Sequence, residues 1–253
     1  MAGWPRQAVS IYGALPPRNL GELLSESFTV YSRNFVPFFA LALIAAAPSI
    51  LGALTEGSSR VVLFIVGLLF SRCVYTSITW AVAQQYIGRS VTVGQCLSVA
   101  LKHLGTIVVA GILAFLIVAG SAVLILLIIG IYFFFYFLVS LFFTTEAIVI
   151  DRTSATGAIS RSINLVRGSW WRVLGIGIVF VLATGLITLV LQIPAAIIGV
   201  ANETTGEVIS AAVASVVAPI IPIGRTLLYL DLRVRKENLT LDRLAVEMGP
   251  APA

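Results

Sequence analysis

Apolar residues in this chain come in long unbroken runs separated by short polar segments. The first runs from Phe35 to Leu54 and ends at Thr55-Glu56-Gly57-Ser58-Ser59. The second extends from Val61 to Ala83, interrupted only by Arg72. Ile107 to Ile150 carries no charge before Glu146, enough for two spans of about 20 residues each, with a turn expected at Ile129-Gly130-Ile131. Val173–Val200 and Val208–Leu230 complete the pattern. The expected fold is all-α: a polytopic membrane protein with spans at 35–54, 61–83, 107–129, 131–150, 173–200 and 208–230.

The polar segments between spans have a helical pattern of their own. Leu20, Leu23, Leu24, Phe28 and Tyr31 fall three or four residues apart, and Asn19 with Glu22 has the spacing of a capping box. Thr92–Leu104 and Thr156–Trp170 repeat the stripe, so each segment is predicted as an amphipathic helix in the membrane interface. Leu24-Ser-Glu-Ser-Phe28 aligns with Ile159-Ser-Arg-Ser-Ile163, suggesting three repeats of interfacial helix plus transmembrane hairpin. Shared constraint on membrane hairpins would produce the same similarity. The membrane domain is expected over residues 19–244, with disordered tails at 1–18 and 245–253.

Composition agrees with a membrane protein. The chain of 253 residues is 59% hydrophobic and 11% charged, with mean hydropathy +1.04, whereas a soluble domain carries roughly 25% charge. Its net charge of +5 does not point to nucleic acid, because the cations flank apolar runs instead of forming one basic face. With six spans and an internal N-terminus, 13 of the 16 Lys and Arg residues fall inside, only Arg60 falls outside, and Arg72 and Arg225 lie within spans. The positive-inside rule then puts both termini in the cytoplasm. The outer loop 202–207 is acidic, in agreement. No signal peptide precedes the first span. Cys73 and Cys96 fall in different environments, so no disulfide is expected.

Three segments resemble a known family. Leu20–Phe35, Ala158–Gly175 and Leu227–Glu237 are similar to motifs of bacterial proteins carrying the glycerophosphoryl diester phosphodiesterase membrane domain. The resemblance spans Leu20 to about Leu244 and implies a multi-span helical domain of the bacterial cytoplasmic membrane, standing alone here without the catalytic phosphodiesterase domain. It supplies no activity. A glycerophosphodiester hydrolase needs metal-binding carboxylates and paired histidines, and this chain has only His103.

No zinc spacing, Walker loop or Gly-x-Ser-x-Gly elbow occurs, so neither an enzyme nor a cofactor is expected. Arg72 falls near the middle of the second span, with Tyr75, Thr76 and Thr79 on its face. Such a stripe turned into the bundle is either an internal anchor or a site for an anionic headgroup or solute. Pro219, Pro222 and Gly224 interrupt the sixth span ahead of Arg225, as a cavity-lining break or a plain kink. Arg225 lies near the inner end, with Glu146 of the fourth span as its expected partner. Trp170, Trp171 and Arg172 are candidate headgroup contacts, and the aromatic run Tyr132–Phe137 reads as lipid contact. Asp231, Arg233, Arg235, Lys236 and Glu237 read as a solvated exit helix.

Two function classes follow. One is a non-catalytic scaffold, anchor or lipid- and partner-binding module, whose partners are anionic membrane lipids and a membrane or cytoplasmic protein, without nucleic acid. The other is a small anion or lipid transporter using the Arg72 stripe and the broken sixth span.

Overall fold

A computed structural model describes residues 17–55, 57–123 and 129–249. The described chain is helical and forms a multi-pass membrane bundle. Its elements are α1 (Leu20–Arg33), α2 (Phe35–Ala53), α3 (Ser58–Tyr86), α4 (Val93–Val123), α5 (Ile129–Ser140), α6 (Thr144–Ile150), α7 (Ala155–Val166), α8 (Trp170–Ala201), α9 (Glu203–Val217), α10 (Ile220–Glu237) and α11 (Leu241–Met248). Six segments are long and apolar enough to cross a membrane, among them the pairs α5–α6 and α9–α10, each counted as one span. Exposed Val, Leu, Ile and Phe side chains cover α8 and the N-terminal half of α3, as a bundle facing hydrocarbon requires.

The lead-in segments behave differently from one another. Helix α1 starts at the expected capping box: the Asn19 carboxamide accepts from Glu22 N at 2.9 Å, and Asn19 N donates to the Glu22 carboxylate at 2.7 Å. It ends at Asn34, whose φ of −121° and ψ of 33° leave the helical region. Helix α7 ends at Arg167, and Gly168 turns the chain with φ +79°, which glycine adopts without steric cost. The segment Thr92–Leu104 has no such breaker. It is the opening of the single 31-residue helix α4 and not a separate interfacial helix. Of the three lead-in segments, α1 and α7 thus stand as separate helices, while the middle one has merged with its span.

Three boundaries move. Gly130 lies inside α5 and is not the turn between the third and fourth spans; residues 124–128 of that connection lie outside the described residues. The expected loop 202–207 shrinks to Asn202, which caps α9 by accepting from Thr205 N at 2.9 Å. The expected tail from residue 245 is helical through Met248, with Leu244 and Met248 buried under α10; residues 1–16 and 250–253 of the two tails lie outside the described residues. Arg18, assigned to the N-terminal tail, is buried.

Helix α10 is the central element. From Thr226 to Val234 every residue is buried, and α1, α3, α7 and α8 pack around it. One of its contacts depends on glycine's lack of a side chain: the Phe180 ring of α8 occupies the space where a Cβ on Gly224 would stand, 2.2 Å from Cε1. Gly206 of α9 has the same role against α8, where a Cβ would lie 2.4 Å from Gly199 Cα. The obstacle there is backbone. Gly206→Ala should therefore force the α8–α9 pair apart and cost about 1–3 kcal/mol, the range for overpacking. Gly111→Ala, at an exposed mid-helix position with open space around it, should be neutral or slightly stabilising. Thermal unfolding of both variants in detergent checks the difference.

Candidate functional site: two broken spans and a buried ion pair

Helix breaks inside a membrane free backbone groups that lipid cannot satisfy. The α5–α6 break at Leu141–Phe143 has no Gly or Pro to announce it. It is held by Ser162 of α7, which is fully buried. The Ser162 hydroxyl donates to Ser140 O at 2.7 Å and accepts from Phe143 N at 3.0 Å. The α9–α10 break falls at Ala218-Pro219, as the prolines suggest. Its freed carbonyl on Val216 accepts a hydrogen bond from the Tyr31 hydroxyl of α1. Thus each free-standing lead-in helix supplies a hydroxyl that caps one broken span. Ser162 aligns with Ser27 in the repeat register, and Ser27 is equally buried. Only Ser162 caps a break: the Ser27 hydroxyl donates to Leu23 O of its own helix at 2.7 Å, and the α1 cap comes from Tyr31.

Just inward of these breaks the sixth span brings Arg225 to Glu146. The Arg225 guanidinium donates from Nη2 to the Glu146 carboxylate at 3.2 Å, and the Tyr75 hydroxyl donates to the other carboxylate oxygen at 2.9 Å. The guanidinium carbon stands 4.1 Å from the Phe142 ring centroid and 5.0 Å from that of Tyr75, both within cation–π range. Glu146 is fully buried, and these donors take the place of water around its carboxylate. Arg225 Nε is buried without a partner among the described residues. The expected Arg225–Glu146 pair therefore forms, and Tyr75 joins it.

The polar stripe of α3 divides. Thr76 and Thr79 are buried; the Thr76 hydroxyl donates to Arg72 O at 2.8 Å, whereas the Thr79 hydroxyl has no partner among the described residues. Arg72 itself is exposed and makes no side-chain hydrogen bond or ion pair among the described residues. The expectation that the whole stripe turns into the bundle is corrected at this residue. Along this stretch α2 packs against α3 at Leu63 and Gly67 and α9 meets it through the Arg60–Glu207 pair, while Arg72 stays exposed.

The charged end of the bundle departs most from expectation. Asp231 and Arg233 are not solvated but almost fully buried. Asp231 accepts from Arg18 N at 2.6 Å, from Arg172 at 2.9 Å and from Arg235 at 2.9 Å. Asp151 accepts from Arg161 at 2.6 Å, Tyr229 at 2.7 Å and Arg233 at 2.9 Å. Arg233 continues to Glu237 at 3.1 Å and to Glu247 of α11 at 2.7 Å. Arg161 also grips Glu237 with both terminal nitrogens. Hydrogen bonding to Glu237 pushes the Arg161 pKa above its ordinary value against the cost of burial. Arg89 and Arg152 donate to the last carbonyls, Gly249 O and Met248 O, where the C-terminus of α11 is partially negative.

The candidate headgroup residues separate in the same way. Trp171 is 79% exposed and free to meet an interface, while Trp170 donates from Nε1 to Tyr136 O at 3.3 Å. Arg172 is committed to Asp231 and Arg18 O, which corrects its assignment to a headgroup. Cys73 and Cys96 are unpaired. At the far end Arg60, the expected outer cation, pairs with Glu207 of α9 at 2.6 Å.

Breaking the inner pair should be costly from either side. Glu146→Leu leaves Arg225 without its carboxylate and should destabilise by about 3–5 kcal/mol, the cost of orphaning a buried charge. Adding Arg225→Leu should restore much of that loss, a non-additivity that a double-mutant cycle of unfolding measurements would reveal.

Comparison with known proteins bears on half of this arrangement. Residues 104–228 match a family described as a domain of unknown function (DUF7847). The match takes in both helix breaks, Ser162, Glu146 and Arg225, ends within α10 before Asp231 and Arg233, and leaves out α1 to α3 with Arg72 and Tyr75. Neither a curated protein nor a solved structure matches the chain.

Proposed function

We propose that this protein is a non-catalytic module of the bacterial cytoplasmic membrane, a scaffold or anchor that binds lipid and protein partners, with both termini in the cytoplasm. The observation that carries the proposal is the state of its acids. Glu26, Glu146, Asp151, Asp231, Glu237 and Glu247 are each held by at least one arginine. A general base or a proton-carrying carboxylate needs a free position for substrate or water, and these acids spend theirs on structure. The resemblance to the phosphodiesterase membrane domain agrees, since a single His103 cannot supply paired catalytic histidines.

Orientation follows from charge. The cations of the charged end favour the cytoplasmic side, and the lone Arg60–Glu207 pair marks the opposite one.

The second reading, a small anion or lipid transporter, is favoured by the two broken spans, which carriers use to line midplane sites. Against it, Ser162 and Tyr31 already occupy polar groups at those breaks. The module reading accounts for these caps without further motion.

Two measurements test the proposal. The full chain reconstituted into liposomes should give no anion flux and no lipid scrambling above empty vesicles; a reproducible flux lost in Arg72→Leu would establish the carrier instead. A fluorescent reporter fused at the C-terminus should fold in the cytoplasm, and a dark reporter that becomes active only when exported would reverse the topology.

A further inference from the structure

From Val61 to Arg72 only Leu63, Val66 and Gly67 escape exposure on α3, and Leu63 and Gly67 meet α2. The rest of that stretch, including Ile65, Leu68, Leu69 and Phe70, faces outward as an apolar surface. Arg72 ends it. One turn further on, α3 enters the bundle and Tyr75 joins Glu146 and Arg225. An arginine at this boundary of a 29-residue apolar helix costs about 2.5–3.5 kcal/mol to insert unless an anion accompanies it.

The charges around it do not balance. Arg72 stands one helical turn before Tyr75, and the one carboxylate that Tyr75 reaches, Glu146, is already bound by Arg225. Tyr75 contributes a neutral hydroxyl. One positive charge is left over, and Arg225 Nε is left without a partner. Guanidinium groups match phosphate oxygens in geometry, and a phosphodiester carries one negative charge, the amount missing.

Building on the reading of a lipid-binding module, we propose that Arg72 is the membrane-facing anchor of a site for a monoanionic phosphate, the chemistry of an acidic phospholipid headgroup or of free phosphate. Depth permits a headgroup to reach it. Arg72 lies 11 residues along α3 from Val61, where the apolar run begins, about 17 Å at 1.5 Å per residue, so a core about 30 Å thick leaves about 13 Å to the leaflet at the charged end. Arginine snorkelling and local thinning of the bilayer close gaps of that kind. The exposed apolar row outward of Arg72 would then take the acyl chains.

The test uses the full chain in nanodiscs of phosphatidylcholine, with or without phosphatidylglycerol, and separately with inorganic phosphate. Native mass spectrometry and thermal unfolding are the readouts. Phosphatidylglycerol should be retained at least tenfold better than phosphatidylcholine and should raise the melting temperature, and Arg72→Gln should abolish both effects. Arg33→Gln, which removes another exposed cation remote from the cluster in sequence, should change neither. If inorganic phosphate alone raises the melting temperature through Arg72, the soluble anion is the source and the phosphate site stands. Equal retention of the two lipids, or undiminished phosphatidylglycerol retention in a folded Arg72→Gln, overturns the site while leaving the module reading in place. Should Arg72→Gln fail to fold, Arg72→Lys keeps the charge but loses the bidentate fork, and unweakened phosphatidylglycerol retention in it would equally reject a guanidinium–phosphate contact.

Discussion

A backbone polar group inside a bilayer has no water to fall back on, so every interruption of a spanning helix must be answered by another part of the protein. Among the described residues two of the six candidate spans are interrupted, and both answers come from outside the spans. Ser162 of α7 bridges Ser140 O and Phe143 N, and Tyr31 of α1 caps Val216 O. These contacts explain why the chain has free-standing lead-in helices at all.

The second consequence concerns charge. Once α10 is broken from α9 and fixed by α1 and α8, its inward half carries Arg225, Asp231 and Arg233 into the bundle, where each must find partners or destabilise it. Partners come from every direction: Glu146 from α6, Arg18 from the approach to α1, Arg172 from α8, Asp151 from the turn before α7, and Glu247 from α11. The short helix α11 belongs to this network. Its carboxylate meets Arg233, its final carbonyls meet Arg89 and Arg152, and Leu244 and Met248 close the apolar layer beneath.

The spans were legible because a bilayer imposes a length and an apolar composition, and Arg225–Glu146 was legible because charge at depth needs a partner. What escaped is tertiary. The α5–α6 break has no Gly or Pro, so only the distant Ser162 defines it. The Asp231–Arg235 segment reads as a solvated helix because its i,i+4 charge spacing is the same on a surface as in an interior. Its burial depends on α1, α7 and α11 converging on it. The fused α4 escaped for the opposite reason: amphipathicity signals a polar face but cannot signal where a helix stops, and Thr92–Leu104 lacks the terminator that Asn34 and Gly168 provide.

Arg72 and Arg225 put the same side chain to two different uses. Arg225 is enclosed by two rings and a carboxylate, and its charge is neutralised before the protein meets any ligand. Arg72 stands where α3 leaves the bundle, with no carboxylate placed to receive it among the described residues. If its purpose were structural, the bundle's own solution at Glu146 could have been repeated one turn outward, where Leu68 and Leu69 now face lipid. A cation left facing hydrocarbon persists only when something in that medium offsets its cost, and the abundant anion of a bilayer is phosphate. The asymmetry between the two arginines is thus itself an argument that the outer one is kept for a ligand and the inner one for the fold.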